Sequence, residues 1–187
     1  MTKISSFLAL LALFMLPPAS LAASKAEKQE DVRETTQKTL ERLYKAQPHA
    51  KDAIARAAGY AVFSNFGMKI LIAGGGSGSG MAVNNKTKQE TFMKMVEVQA
   101  GLGFGVKKFR LVWVFETAGK LNEFINSGWE LGAQATASAQ VSGQGTELYA
   151  GAMSVAPGIW LYQLTDDGLA LELTAKGTKY YKDASLN

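Results

Sequence analysis

Few residues in this chain are equipped for bond-making chemistry. There is one histidine, His49, and no cysteine. That excludes thiol nucleophiles, thiolate metal sites, disulfides and lipid attachment to cysteine. A Ser-His-Asp set would have to use His49, and no serine sits in a Gly-x-Ser-x-Gly elbow. Directly after Pro48, His49 falls in the first turn of a short surface helix. Asp166 and Asp167 are paired carboxylates, but Gly168 follows them, which is hairpin-turn composition rather than an acid–base pair. The run Gly74–Gly80 invites a phosphate-loop reading and fails it. Gly75 and Gly80 have the spacing, but Met81-Ala82 stand where a lysine and a Ser/Thr are needed. The dinucleotide pattern breaks at Ser79. No catalytic residue, metal site or cofactor is expected.

Charge offers more. The chain has 187 residues and a net charge of +4. Residues 61–128 carry eight basic and four acidic side chains, whereas 129–187 carry three and six. Lys86, Lys88, Lys94, Lys107, Lys108 and Arg110 form the basic set, several at strand ends or turns. Lysines there protect sheet edges from pairing with other chains. Alternatively they form a patch for anionic lipid headgroups, each contributing about 1 kcal/mol at an anionic surface. Trp129, Trp160, Tyr180 and Tyr181 are either interfacial anchors or core and rim aromatics.

The glycines number 19, roughly 10% of the chain against about 7% on average. Gly74, Gly76, Gly78 and Gly80 alternate with Gly75, Ser77 and Ser79, and Gly101, Gly103 and Gly105 alternate with Leu102 and Phe104. Strand side chains have period two, so each set bares one face of a sheet. Ala133, Ala135, Ala137 and Ala139 repeat the pattern. Such stripes imply close approach of a helix, sharp curvature, or an elongated ligand such as an acyl chain or headgroup.

These residues must be positioned by a fold, and the chain reads as follows. Residues 1–22 hold Lys3, an apolar run Phe7–Leu16 too short to span a bilayer, Pro17-Pro18 and the small-residue site Ser20-Leu21-Ala22. This predicts a signal peptide cleaved after Ala22 and a periplasmic or secreted mature protein. It also predicts no transmembrane span and no nucleic-acid partner. Residues 23–187 are expected as a single domain. A solvated helix covers 23–47 with the apolar stripe Val32, Leu40, Leu43 and Tyr44, and Glu34–Lys38 and Glu41–Lys45 pair on its surface. A short helix covers 48–59 and ends at Gly59. A β-rich core over 60–176 contains a helix at 118–127, and 177–187 is a tail. Within the core, Arg110–Phe115 is apolar on both faces, which marks a central strand. Further strands are expected over Glu130–Val141, Glu147–Val155, Ile159–Thr165 and Leu169–Ala175. Asn84-Asn85 and Asp166-Asp167-Gly168 are hairpin turns. The expected fold class is α+β: N-terminal helices, then a largely antiparallel, strongly curved or barrel-like sheet with one inserted helix.

Ala57–Phe63 (AAGYAVF), the glycine run Gly74–Gly80, Ala100–Val106 (AGLGFGV), Val114-Phe115 with the helix to Phe124, and Tyr162–Leu173 (YQLTDDGLALEL) occur in that order. This series resembles the SYLF-domain family and spans roughly residues 25–182. The resemblance implies phospholipid binding, of phosphoinositides in eukaryotic members, some of which also bind actin; secreted bacterial members share the organisation. Two features depart from the pattern. Leu169–Leu173 has alanine and glutamate where the family often has Phe-Ala-Gly, and the N-terminal helix is of mixed charge rather than basic and amphipathic. The expectation carried forward is a non-enzymatic envelope protein that binds anionic phospholipid peripherally through a basic, glycine-striped β face. The alternative is a structural or protein-interaction module of the envelope.

Overall fold

Helix α1 (Lys25–Ala46) opens with a capping box: the Ser24 Oγ accepts from the Glu27 N–H at 3.2 Å and the Ser24 N–H donates to the Glu27 carboxylate at 2.6 Å. Two orphan amides are thereby satisfied. Its buried stripe is Val32, Thr36, Thr39 and Leu43, spaced four, three and four residues apart. Leu40 and Tyr44 pack at its flank. Thr36 and Thr39 were invisible to a hydropathy reading because their methyl groups bury while their hydroxyls count as polar. The Lys38–Glu34 pair forms at 2.6 Å, whereas Glu41 accepts from Gln37 instead. A short helix, α2 (His49–Arg56), follows and buries Ala50, Ala53 and Ile54; His49 is exposed.

The computed structural model describes residues 23–70, 73–100, 105–128, 130–131, 147–166, 168–170 and 177–187. The expected leader 1–22, Gly101, Gly103, the alanine stripe at 133–139 and Trp129 lie outside the described residues.

Four long strands follow the helices: β1 (Gly59–Ile70), β2 (Ala73–Asn84), β3 (Glu90–Ala100) and β4 (Gly105–Phe115). Residues 60–64 and 69–70 thus belong to one continuous strand, and Ala73 starts the next. Polar and glycine positions between them interrupt hydropathy without interrupting backbone pairing. Helix α3 (Ala118–Asn126) is capped by Thr117 and stops before Gly128, whose φ is 65°. After β5 (Glu130–Leu131), a 3-10 turn at Glu147–Tyr149 replaces the expected start of a strand, which begins only at β6 (Met153–Ala156). Strands β7 (Ile159–Thr165) and β8 (Gly168–Ala170) form the expected hairpin, with Thr165 opposite Gly168.

The segment expected as a tail is instead corrected to a strand, β9 (Gly177–Lys182), pairing β3 on one side and β5 on the other. Its alternation of exposed Gly177 and Lys179 with buried Thr178 and Tyr180 satisfies the edge of β3. The order across the antiparallel sheet is β5-β9-β3-β2-β1-β4-β7-β6, with β8 also on β7. Strand β4 lies between β1 and β7, a central position as its apolar run predicts.

The sheet is strongly curled. Strands β9 and β4 are four strand spacings apart, roughly 19 Å in a flat sheet. Yet the rings of Tyr180 on β9 and Trp113 on β4 are 5.2 Å apart, centroid to centroid. Phe63 and Phe124 join them, at 4.9 and 5.3 Å from Tyr180. This inner face, with α3 held in its curve, also buries Met93, Met95, Leu111, Phe115 and Leu161. The outer face buries Val62, Val112, Val114, Tyr162 and Leu164 under α1 and α2. The α+β class holds, and both faces of the sheet's centre are covered.

Inner-face crowding accounts for part of the glycine stripe. An added Cβ at Gly78 would lie 2.8 Å from the Met95 Cγ, and one at Gly80 would overlap the Phe63 ring and the Val62 carbonyl. The bare positions are filled by side chains leaning over from β3 and β1.

Candidate functional site

Where α1 passes over the sheet it leaves a groove. One residue pair beyond the helix-covered apolar rows, the outer face turns polar. Register aligns Tyr181, Lys94, Ser79, Ser64 and Arg110 in a single row across β9, β3, β2, β1 and β4. Period two sends these side chains outward, opposite Gly78, Gly80, Met93 and Leu111. The groove between this row and α1 has a volume of about 1070 Å³. Lys28, Lys38, Arg42, Lys45, Lys94 and Arg110 line it against Asp31, Glu41 and Asp183, and Asp166 at its edge leaves an excess of two positive charges. Ser64, Ser77 and Ser79 floor it, and Thr35 and Thr39 face it from the helix. Thr39 is 1% exposed, and its hydroxyl has no hydrogen-bond partner.

Two cations of the row are held by carboxylates. The Lys94 ammonium donates to Asp183 at 3.0 Å. Burial works to raise the Asp183 pKa, but hydrogen bonds from the Ser185 hydroxyl and N–H and from Lys94 prevail and hold it below the usual carboxylate value. Arg110 donates to the Asp166 Oδ1 at 3.2 Å, and the Arg42 Nη1 lies 4.0 Å from the same oxygen. The Arg42 Nη2 also donates to the Thr165 carbonyl at 3.4 Å. The final residues anchor the far end of α1: the Leu186 carbonyl accepts from Gln29 at 2.7 Å and the Asn187 carbonyl from Lys25 at 2.8 Å. Arg33 lies over the Phe92 ring and adds an ion pair to Glu90 at 2.9 Å, whose hydrogen bond is the chief cause of its raised guanidinium pKa.

Of the six basic residues singled out in the sequence, Lys94 and Arg110 meet in the groove. Lys86 and Lys88 do not. They occupy the β2–β3 turn, five residues beyond Ser79 along the strand, roughly 17 Å away. That turn is built by Asn84, whose side-chain oxygen accepts the N–H groups of Lys86 and Thr87 at 3.0 Å each. Lys88 has a φ of 60° there. Lys107 and Lys108 pair with Gly67 and Phe66 of β1, and their side chains lie outside the described residues.

The combined basic and glycine-striped face is corrected. Gly78 and Gly80 turn their bare side into the inner core, whereas Lys94 and Arg110 project from the other face. Adjacent strand positions cannot share a face. Gly74, Gly76 and Gly105 are seen as paired backbone, opposite Lys69, Gly67 and Lys69 respectively, across β1. The aromatic candidates divide likewise. Tyr180 is fully buried and Tyr181 lines the groove. Trp160 stacks on Tyr149 at 4.5 Å and donates to Glu116 at 2.8 Å.

The contribution of α1 is not apparent from the sequence, because Lys28, Lys38, Arg42 and Lys45 belong to a helix whose mixed charge points to a solvated surface. The available signal was their three- and four-residue spacing beside the Val32–Leu43 stripe, which puts part of the basic set next to the buried face. No helix among the described residues is long and apolar enough to cross a membrane.

No family model matches the chain. It is similar to Beta cell expansion factor A of Aeromonas veronii, 33% identical over 148 residues that take in 79% of this chain and 54% of that protein. The chain therefore spans about half the length of the curated relative it matches.

Proposed function

We propose that this chain is a non-enzymatic SYLF-type protein of the cell envelope that binds anionic phospholipid peripherally, through the groove between α1 and the outer sheet face. The observation that carries the reading is the aligned row Lys94–Ser79–Ser64–Arg110, set in a groove with an excess of two positive charges once Asp166 at its edge is counted. Cations supply long-range attraction and hydroxyls supply donors for phosphate oxygens. The ordered likeness of AAGYAVF, the glycine run, AGLGFGV and YQLTDDGLALEL to the SYLF family supports the lipid class. The leader-like residues 1–22 support export to a periplasmic or extracellular space.

Co-sedimentation with anionic and neutral vesicles across a salt series tests this. Binding is expected to anionic vesicles only and to weaken with salt. Changing Lys28 and Lys45 together to glutamine removes two groove cations. At about 1 kcal/mol each, vesicle affinity should fall about 30-fold at low salt. Lys86→Gln with Lys88→Gln, on the distant turn, should leave it unchanged. No binding to any anionic vesicle at low salt overturns the reading. It would favour the alternative, a structural or protein-interaction module, which the filling of Gly78 and Gly80 by the protein's own side chains also suits.

A further inference from the structure

One corner of the groove has a charge arrangement that packing does not require. Arg42 comes from α1 and Arg110 from β4, yet both guanidinium groups approach a single oxygen, the Asp166 Oδ1, at 4.0 and 3.2 Å. Two like charges brought this close need an anion between them, and one carboxylate supplies half the neutralising charge. The carboxylate is also the outermost of the three. The Asp166 side chain is 67% exposed, against 22% for Arg110. It stands on the two-residue turn between β7 and β8, where a side-chain rotation moves it away without disturbing a strand. The same groove is lined by Ser64, directly opposite Arg110 in register, and by Thr39, one helical turn before Arg42 on α1. Thr39 carries the buried hydroxyl that has no partner.

We propose that Arg42 and Arg110 form a clamp for a phosphomonoester group, with Asp166 as an internal stand-in that the phosphate displaces. This rests on the lipid reading only for the source of the phosphate, not for the clamp itself. Displacement decides the ligand class. A phosphodiester brings one negative charge and replaces a carboxylate without electrostatic gain. A phosphomonoester brings about 1.5 to 2 negative charges at neutral pH and three acceptor oxygens, enough to engage both planar guanidinium forks and a hydroxyl at once. The preference therefore runs toward headgroups ending in a free phosphate, and a soluble phosphate shares the same chemistry.

The test uses the mature chain, its Asp166→Asn variant and an Arg42→Gln/Arg110→Gln double variant, each checked for an unchanged melting curve. Phosphatidylcholine vesicles carry either phosphatidic acid or phosphatidylglycerol, matched in surface charge, and inorganic phosphate is titrated separately by calorimetry. The parent chain should prefer phosphatidic acid vesicles. Asp166→Asn should raise that affinity about fivefold, equivalent to ~1 kcal/mol for one opposing charge, with a smaller effect on phosphatidylglycerol. The double variant should bind both vesicles equally. Equal binding of the two vesicles by the parent chain, together with no effect of Asp166→Asn on either vesicle or on inorganic phosphate, overturns the clamp and leaves the lipid reading standing. Inorganic phosphate binding that Asp166→Asn strengthens and the double variant abolishes, without vesicle binding, upholds the clamp and overturns the lipid reading.

Discussion

Replacing Gly80 with alanine separates a packing role for the glycine stripe from a ligand role. The added methyl would overlap the Phe63 ring and the Val62 carbonyl. Phe63 has little room to retreat, because its ring lies 6.2 Å from that of Phe124 and 4.9 Å from that of Tyr180. Overpacking of this kind costs about 1–3 kcal/mol. The loss of glycine's freedom in the unfolded chain returns about 0.4–1 kcal/mol. The net destabilisation is about 1–2 kcal/mol, which at this chain length lowers the melting temperature by about 2–8 °C. Gly177→Ala provides the internal comparison, since nothing lies within 4 Å of its added Cβ and its backbone is not left-handed. That change should be neutral or slightly stabilising. Calorimetry on the two variants reads the difference, and vesicle binding well below the transition should be the same for both. Equal melting temperatures for the two variants would refute the reasoning, as would a Gly80→Ala chain that melts normally but no longer binds.

Two further outcomes follow from buried polar groups. The Tyr162 hydroxyl is buried without a partner, and burial, with Tyr149 adding to it, pushes its pKa up to about 12. Tyr162→Phe should stabilise the protein by about 1 kcal/mol at neutral pH in urea unfolding, because an unsatisfied hydroxyl is removed. A raised folded pKa means that stability is full below about pH 10 and is lost as pH rises toward the folded value. The variant should accordingly lose less stability in that window, and a destabilised Tyr162→Phe would contradict the orphan assignment. Asp183 has a lowered folded pKa, so its contribution is present above about pH 4 and disappears as pH falls through the folded value. Asp183→Asn should lower the melting temperature at neutral pH and flatten the acid limb of its pH profile; parallel profiles would show that the Lys94 and Ser185 hydrogen bonds contribute nothing.

Much of this architecture was legible from local pattern. Val32 and Leu43 of the α1 stripe, the short α2, helix α3, the Asn84-Asn85 turn and the β7–β8 hairpin all depend on residues within a few positions of one another. Strand β9 was not legible, because Gly177-Thr178-Lys179-Tyr180 has weak hydropathy and becomes a strand only when β3 offers an unpaired edge. The full length of β1 and β2 was not legible for the same reason: partner backbones across Asn65–Ile70 and Ala73–Gly78 maintain pairing where the side chains give no signal. The candidate site was half visible. Lys94 and Arg110 belonged to the basic set, but their common row depends on three register relations, and the helix cations join it only because α1 crosses that row.

By itself, the amino-acid sequence determined the α+β class, the scarcity of catalytic side chains, the central place of Arg110–Phe115 and the existence of small-residue stripes with period two. Tertiary structure decided which face each stripe occupied. Period two states that Gly78 and Ser79 point in opposite directions; only the curl of the sheet, which brings Tyr180 to Trp113, makes the glycine side the crowded interior and the serine side the wall of a basic groove. Curvature is a property of the whole sheet, summed over strands far apart in the chain, and no local window contains it.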